Sequence, residues 1–98
     1  MITSLYPVLM SEDVHQAAQF FIENFQFQET FRSDWYVSLK NIESGFELAF
    51  IEGKHETVPQ AYQSMTSGLI INIEVEDVDF LYEELRQQEE MEFLLPIK

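Results

Sequence analysis

Glu47 is the residue with the clearest chemical potential in this chain. It stands inside the apolar segment Phe46-Glu47-Leu48-Ala49-Phe50. If Phe46, Leu48 and Phe50 pack beneath a helix, the two-residue period of a strand sends Glu47, Ala49 and Ile51 to the opposite face. A carboxylate in an apolar hollow must be protonated, paired with a cation or open to water. Glu47 is then either an ordinary surface acid on a partly solvated face, or it binds a donor or cationic group or acts as a general base, and no second catalytic group can be named for it. The two histidines, His15 near the start of a predicted helix and His55 between Lys54 and Glu56, read as solvated residues. Nine acids lie between Glu74 and Glu92 against the single base Arg86, without the alternating Asp and Gly pattern of a calcium loop. That run reads as a solvated helix face and its flanks. With no cysteine, thiolate metal sites, thiol nucleophiles and disulfides are excluded.

The elements that must position these residues follow from periodicity. Leu5 to Met10 reads as a short strand, best placed at an edge because of Pro7. Asp13 stands as a helix N-cap, with Gln16 three residues on as its partner, and Val14, Ala17, Ala18, Phe21 and Phe25 form an apolar helical stripe widened by Ile22. Phe27–Phe31, Trp35–Leu39 and Phe46–Ile51 read as three further strands, separated by the turns Arg32-Ser33-Asp34 and Asn41-Ile42-Glu43-Ser44-Gly45. Gly53 to Gly68 is a connector containing one short helical turn around Ala61 and Tyr62. Leu69–Val75 is then the strongest strand pattern in the chain, followed by a helix capped by Asp77 or Asp79 with the stripe Val78, Leu81, Tyr82 and Leu85, and by a strand beginning at Glu92. The order β-α-β-β-β followed by β-α-β points to an internal repeat. Phe20, Phe21, Phe25, Phe46, Phe50 and Phe80 are expected in the packing.

The 98 residues suffice for one domain, and 46% hydrophobic content suits a packed core. Eighteen acids against five bases give a formal charge of -13, which disfavours nucleic acid and anionic membranes as partners. No membrane span or signal peptide is expected, and the cytoplasm is the expected location.

Two architectures fit this order. A ferredoxin-like β-α-β-β-α-β domain has one strand too few between its helices. The alternative is a tandem of β-α-β-β-β modules whose curved sheets enclose a cavity. Here the sequence resembles the vicinal oxygen chelate superfamily, which includes glyoxalase I, bleomycin-resistance proteins and extradiol dioxygenases. The resemblance is carried by the strand Leu5–Met10 leading into Ser11-Glu12-Asp13-Val14, by Phe20-Phe21-Ile22-Glu23-Asn24-Phe25-Gln26-Phe27, by FELAF at Phe46–Phe50 and by GLIINIEVEDVDFLYEEL at Gly68–Leu85. Gln26 replaces the glycine usual after the first helix, and two strands that the family normally shows would fall after Lys98. A shortened chain, or a sheet completed by a partner chain, is the resulting expectation.

The resemblance implies an α+β fold of tandem βαβββ modules. The first module covers about residues 1–53, the connector 54–67 and a partial second module 68–98. Carried over by motif, the metal-ligand positions of the metal-dependent members fall at Tyr6, Glu47 and Ile70, with Leu69 the other option for the last. Isoleucine cannot coordinate and a neutral phenol is a weak ligand, so no metal or other cofactor is expected. By alternation Tyr6, Val8 and Met10 share a face, as do Ile70, Asn72 and Glu74. Either Trp35 and Val37 or Tyr36 and Ser38 join them. The expected ligand-binding set is Tyr6, Val8, Trp35, Glu47, Ala49, Ile70 and Asn72, an apolar lining with a few polar handles suited to a small organic molecule. The expected function is metal-independent binding of such a molecule, with a homodimer implied by the resemblance and ligands of cationic or amphiphilic character favoured by the acidic rim. The alternatives are a divalent-metal-dependent lyase or dioxygenase using Glu47, and a ferredoxin-like interaction or regulatory domain.

Overall fold

The computed structural model describes residues 1–87. Strand β1 (Val8–Ser11) leads into helix α1 (Val14–Phe25), followed by strands β2 (Phe27–Arg32), β3 (Tyr36–Asn41) and β4 (Glu47–Glu52), a 3₁₀ turn at Gln60–Tyr62 and helix α2 (Val78–Arg86). The strands form one sheet in the order β1-β4-β3-β2, with β1 parallel to β4 and the other pairs antiparallel. This is a βαβββ unit within an α+β fold. Three strands follow α1 without an intervening helix, so the ferredoxin-like alternative is excluded.

Helix α1 starts where its first turn is satisfied. Asp13 Oδ1 accepts from the Gln16 N–H at 3.0 Å, and the Asp13 carbonyl accepts from Ala17 N–H at 3.1 Å. At the other end Gln26 adopts φ 59°, the left-handed conformation in which glycine is usual, and its N–H returns to the Phe21 carbonyl. Two further helix-end carbonyls are met from the sheet: Asn41 Nδ2 donates to Phe25 O at 2.7 Å and Ile42 N–H to Gln26 O at 3.3 Å. The helix is thus tied to the β3–β4 turn.

The core lies between α1 and one face of the sheet. Leu9, Val37, Leu39, Leu48 and Phe50 point toward the helix and meet Val14 and Ala18, with Ala17, Phe21, Ile22 and Phe27 closing the margin. Val37 and Leu39 on the central strand β3 are fully buried. One face of β1, β3 and β4 is consumed in this way; on the other face Ala49 and Ile51 are also buried, while Val8 is exposed and Met10, Tyr36, Ser38 and Glu47 are half-buried.

Several expectations change. β1 begins at Val8 rather than Leu5, because Pro7 has no N–H for a ladder, although its carbonyl still accepts from Ala49 N–H at 3.0 Å. Phe46 sits in the turn before β4 and Phe80 on α2; both are exposed rather than packed. Leu69–Val75 is not a strand, despite having the most regular alternation in the sequence. Strand sequence needs a neighbouring ladder, and among the described residues no strand pairs with it. Helix α2 does form, with Asp77 Oδ1 accepting from Phe80 N–H at 3.0 Å, but it has no buried residue. The strand expected from Glu92 lies outside the described residues. No helix among the described residues is long and apolar enough to cross a membrane.

Candidate functional site

The face opposite α1 carries the alternate residues of three strands. Register places Val8 beside Ala49 and Ala49 beside Ser38, making one row across β1, β4 and β3. A second row holds Met10, Ile51 and Tyr36, and at the near end Glu47 stands opposite Lys40. This settles the open question of β3: Tyr36 and Ser38 join the open face, while Val37 is turned into the core.

Ala49 is the floor of this face. Its side chain is one methyl group and it is fully buried, so the larger residues around it set the relief. The Tyr6 phenol and the Ser38 hydroxyl lie beside the Tyr36 phenol, close enough to act on its titration. Burial, and after it the neighbouring Tyr6 phenol, pushes the Tyr36 phenol above its ordinary value, with the Ser38 hydroxyl acting in the opposite direction. At the other end of the face Ser4 Oγ donates to Glu47 Oε2. The carboxylate is therefore half-buried and held by a neutral donor.

Of the seven residues selected from the sequence, Val8 and Ala49 stand side by side, and Glu47 shares their face. Tyr6 reaches the same face beside Tyr36. Trp35 does not join them. It precedes β3, its carbonyl accepts from Glu52 N–H at 2.8 Å, and its ring stacks on His55 with centroids 3.7 Å apart and planes 7° from parallel. His55 is correspondingly not a free loop residue: its Nδ1 accepts from Thr57 N–H at 3.2 Å, and the ring is partly covered. Ile70 is 82% exposed and, like Asn72, lies outside every strand. His15 is half-buried, with Nδ1 lacking a hydrogen-bond partner, rather than fully solvated.

Ser4, which holds Glu47, was missed because it belongs to no periodic element. The connector leaves a second hollow, a cavity of about 190 Å³ at the ends of β1 and β4 between Ser11, Glu52, Gly53 and Met65. None of the selected residues lines it.

A β-α-β-β-β order, the sheet order β1-β4-β3-β2 and an open face holding the FELAF glutamate are now in place. The family model described as Glyoxalase/Bleomycin resistance protein/Dioxygenase superfamily matches residues 4–96. The chain belongs to this superfamily. No curated protein matches it.

Metal-dependent members of the glyoxalase/bleomycin resistance/dioxygenase superfamily hold a divalent ion on this face. Glu47 is the sole carboxylate that the four strands place on it, and the other oxygen donors there are phenols and serine hydroxyls. Among the described residues no group of three or more His, Cys, Asp and Glu side chains is arranged to hold a metal ion. A borderline transition ion favours imidazole together with carboxylate, and this donor set does not fit one.

Proposed function

We propose that this member of the superfamily binds a small organic molecule on the open sheet face, without a metal, and acts by enclosing its ligand. The observation that carries the reading is the composition of the face. Val8 and Met10 offer apolar area beside the buried Ala49 and Ile51, while Tyr6, Tyr36, Ser38 and Glu47 supply a few polar groups. That combination suits a ligand with a flat apolar body and a donor or cationic group for Glu47. The formal charge of -13 attracts cationic ligands at long range. A second curved wall from the later half of the chain, in the tandem-module manner, turns the open face into a cavity. Association as a homodimer and a cytoplasmic location belong to the same reading.

Thermal unfolding against a panel of cationic aromatic compounds and thiol conjugates tests it. Binding raises the melting temperature in proportion to ligand concentration above Kd. The expected result is a rise with at least one cationic aromatic compound that Glu47→Gln reduces. Stoichiometric nickel, zinc, manganese or iron binding that is lost in Glu47→Gln would instead establish the metal-dependent lyase or dioxygenase.

A further inference from the structure

The hollow at the carboxyl ends of the parallel strands β1 and β4 is separate from the open sheet face. Glu12 borders it just beyond β1, Glu52, Gly53 and Lys54 at the end of β4, and Ser64 and Met65 from the connector. Its shape is fixed from two sides. Thr66 N–H donates to the Met10 carbonyl at 3.2 Å and Met10 N–H donates to Thr66 Oγ1 at 2.6 Å, which holds the Ser64–Met65 stretch beside β1. Gly53 permits that approach, since a Cβ there would lie 2.5 Å from the Ser64 carbonyl oxygen. On the other side His55 N–H donates to the Glu52 carbonyl at 3.0 Å and the His55 ring stacks on Trp35, so the turn carrying Lys54 is pinned at both ends. Little ordering therefore has to accompany binding there.

Charge and size then select the ligand. Glu12, Glu52 and Lys54 are all exposed, and none of them forms an ion pair among the described residues, where the paired bases are Arg32 and Arg86. Two carboxylates and one ammonium thus share a small hollow without neutralising one another. A purely anionic ligand meets the carboxylates and a purely cationic one meets the ammonium, whereas a molecule of both signs satisfies all three. Met65 adds a polarizable apolar surface that adapts to a short side chain. The volume of about 190 Å³ equals the liquid share of roughly six waters, and lies below the range of about 300–1,000 Å³ usual for drug-sized molecules.

We propose that this hollow binds a small zwitterion bearing an ammonium and a carboxylate on one carbon, the chemistry of a free α-amino acid with a short side chain. Glu12 and Glu52 receive the ammonium, Lys54 the carboxylate and Met65 the side chain. The site is independent of the open-face reading, because none of these residues belongs to that face. Exposed charges are screened by salt, so the ligand is held weakly, with a Kd on the order of 1 mM.

An amide NMR titration of the full chain with glycine, L-alanine, L-serine and L-leucine at low ionic strength tests it. At least one of them is expected to give saturable shifts centred on the Gly53, Lys54 and Met65 amides and absent from Tyr36, Ser38 and Ala49. Ethylamine and propionate, each carrying one of the two charges, should bind more weakly than that amino acid by about threefold or more. Lys54→Gln should weaken the amino acid by about threefold or more and leave ethylamine undiminished, while Glu12→Gln/Glu52→Gln should weaken both. All three positions are exposed, so the variant spectra should overlay on the parent away from the hollow, which checks the fold. No saturable shift with any of the four, shifts confined to the open face, ethylamine or propionate binding as tightly as the amino acid, or an affinity indifferent to Lys54→Gln or to the carboxylate pair would each overturn the proposal. The thermal-shift experiment with cationic aromatic compounds reads the other site through Glu47, so either result can fail without the other.

Discussion

Tyr36 shows how a single position on the open face departs from its ordinary chemistry. Its phenol is raised first by burial and then by Tyr6, so the neutral form is favoured in the folded protein. A raised folded value means that the native state holds the proton after the unfolded chain has released it. The associated stability is complete below the ordinary phenol range near 10 and is lost as pH rises through the Tyr36 value. Spectrophotometric titration should therefore show a phenolate step above that range that disappears in Tyr36→Phe. Gly53 is a second position with a sharp requirement: a Cβ there would lie 2.5 Å from Ser64 O and 3.3 Å from Met10 Cβ. Gly53→Ala should destabilise the protein by about 1–3 kcal/mol in denaturant unfolding, because backbone must move to relieve the overlap. It should also speed exchange of the Met10 amide, whose acceptor Thr66 lies two residues beyond Ser64. Glu47 was legible from alternation alone. Tyr36 was legible only as one of two choices, since both faces of β3 carry apolar or aromatic residues.

At the level of elements, α1 is specified locally at both ends and can be tested there. Asp13→Ala removes the acceptor of the Gln16 N–H and should lower stability by about 1 kcal/mol without changing the fold. Gln26→Gly relieves a left-handed non-glycine residue and should raise stability by up to about 1 kcal/mol, the gain being limited by the greater freedom of glycine in the unfolded chain. Chemical denaturation of the two variants, with unchanged denaturant dependence, checks both. The capped helix and its stripe were readable because capping and 3.6-residue periodicity act over a few neighbouring residues. Leu69–Val75 shows the opposite case. Its pattern is more regular than that of β2, yet β2 is a strand because β3 supplies a ladder, whereas Leu69–Val75 has none among the described residues. β2 is nearly all exposed and still forms, so its pairing outweighs its weak pattern. Strand propensity describes fitness for a sheet, and the sheet must come from elsewhere.

Across the whole molecule, stability rests on one layer of core between α1 and the sheet. Leu39 lies at its centre and is fully buried, so Leu39→Ala should cost about 2–5 kcal/mol by transfer and cavity terms, and enough of a small domain's total to leave it partly unfolded. Charge acts at the same scale. With a formal net charge of -13 the folded chain repels itself, and raising salt from low to about 150 mM should increase the melting temperature through screening.

The sequence by itself determined the βαβββ order, the N-cap of α1, the N-cap of α2 to one of two residues, the core stripe of α1 and the side of β4 on which Glu47 lies, since each depends on contacts within a few residues or on a fixed two- or 3.6-residue period. It also carried the superfamily, through the order of those elements. Tertiary structure alone decided that Tyr36 and not Trp35 meets Tyr6, that Ser4 holds Glu47, that Trp35 stacks on His55, and that Ile70 and Asn72 stand apart from the sheet. Those outcomes depend on which backbone edges and faces find partners across the chain, and periodicity along one segment contains no information about the segment it will face.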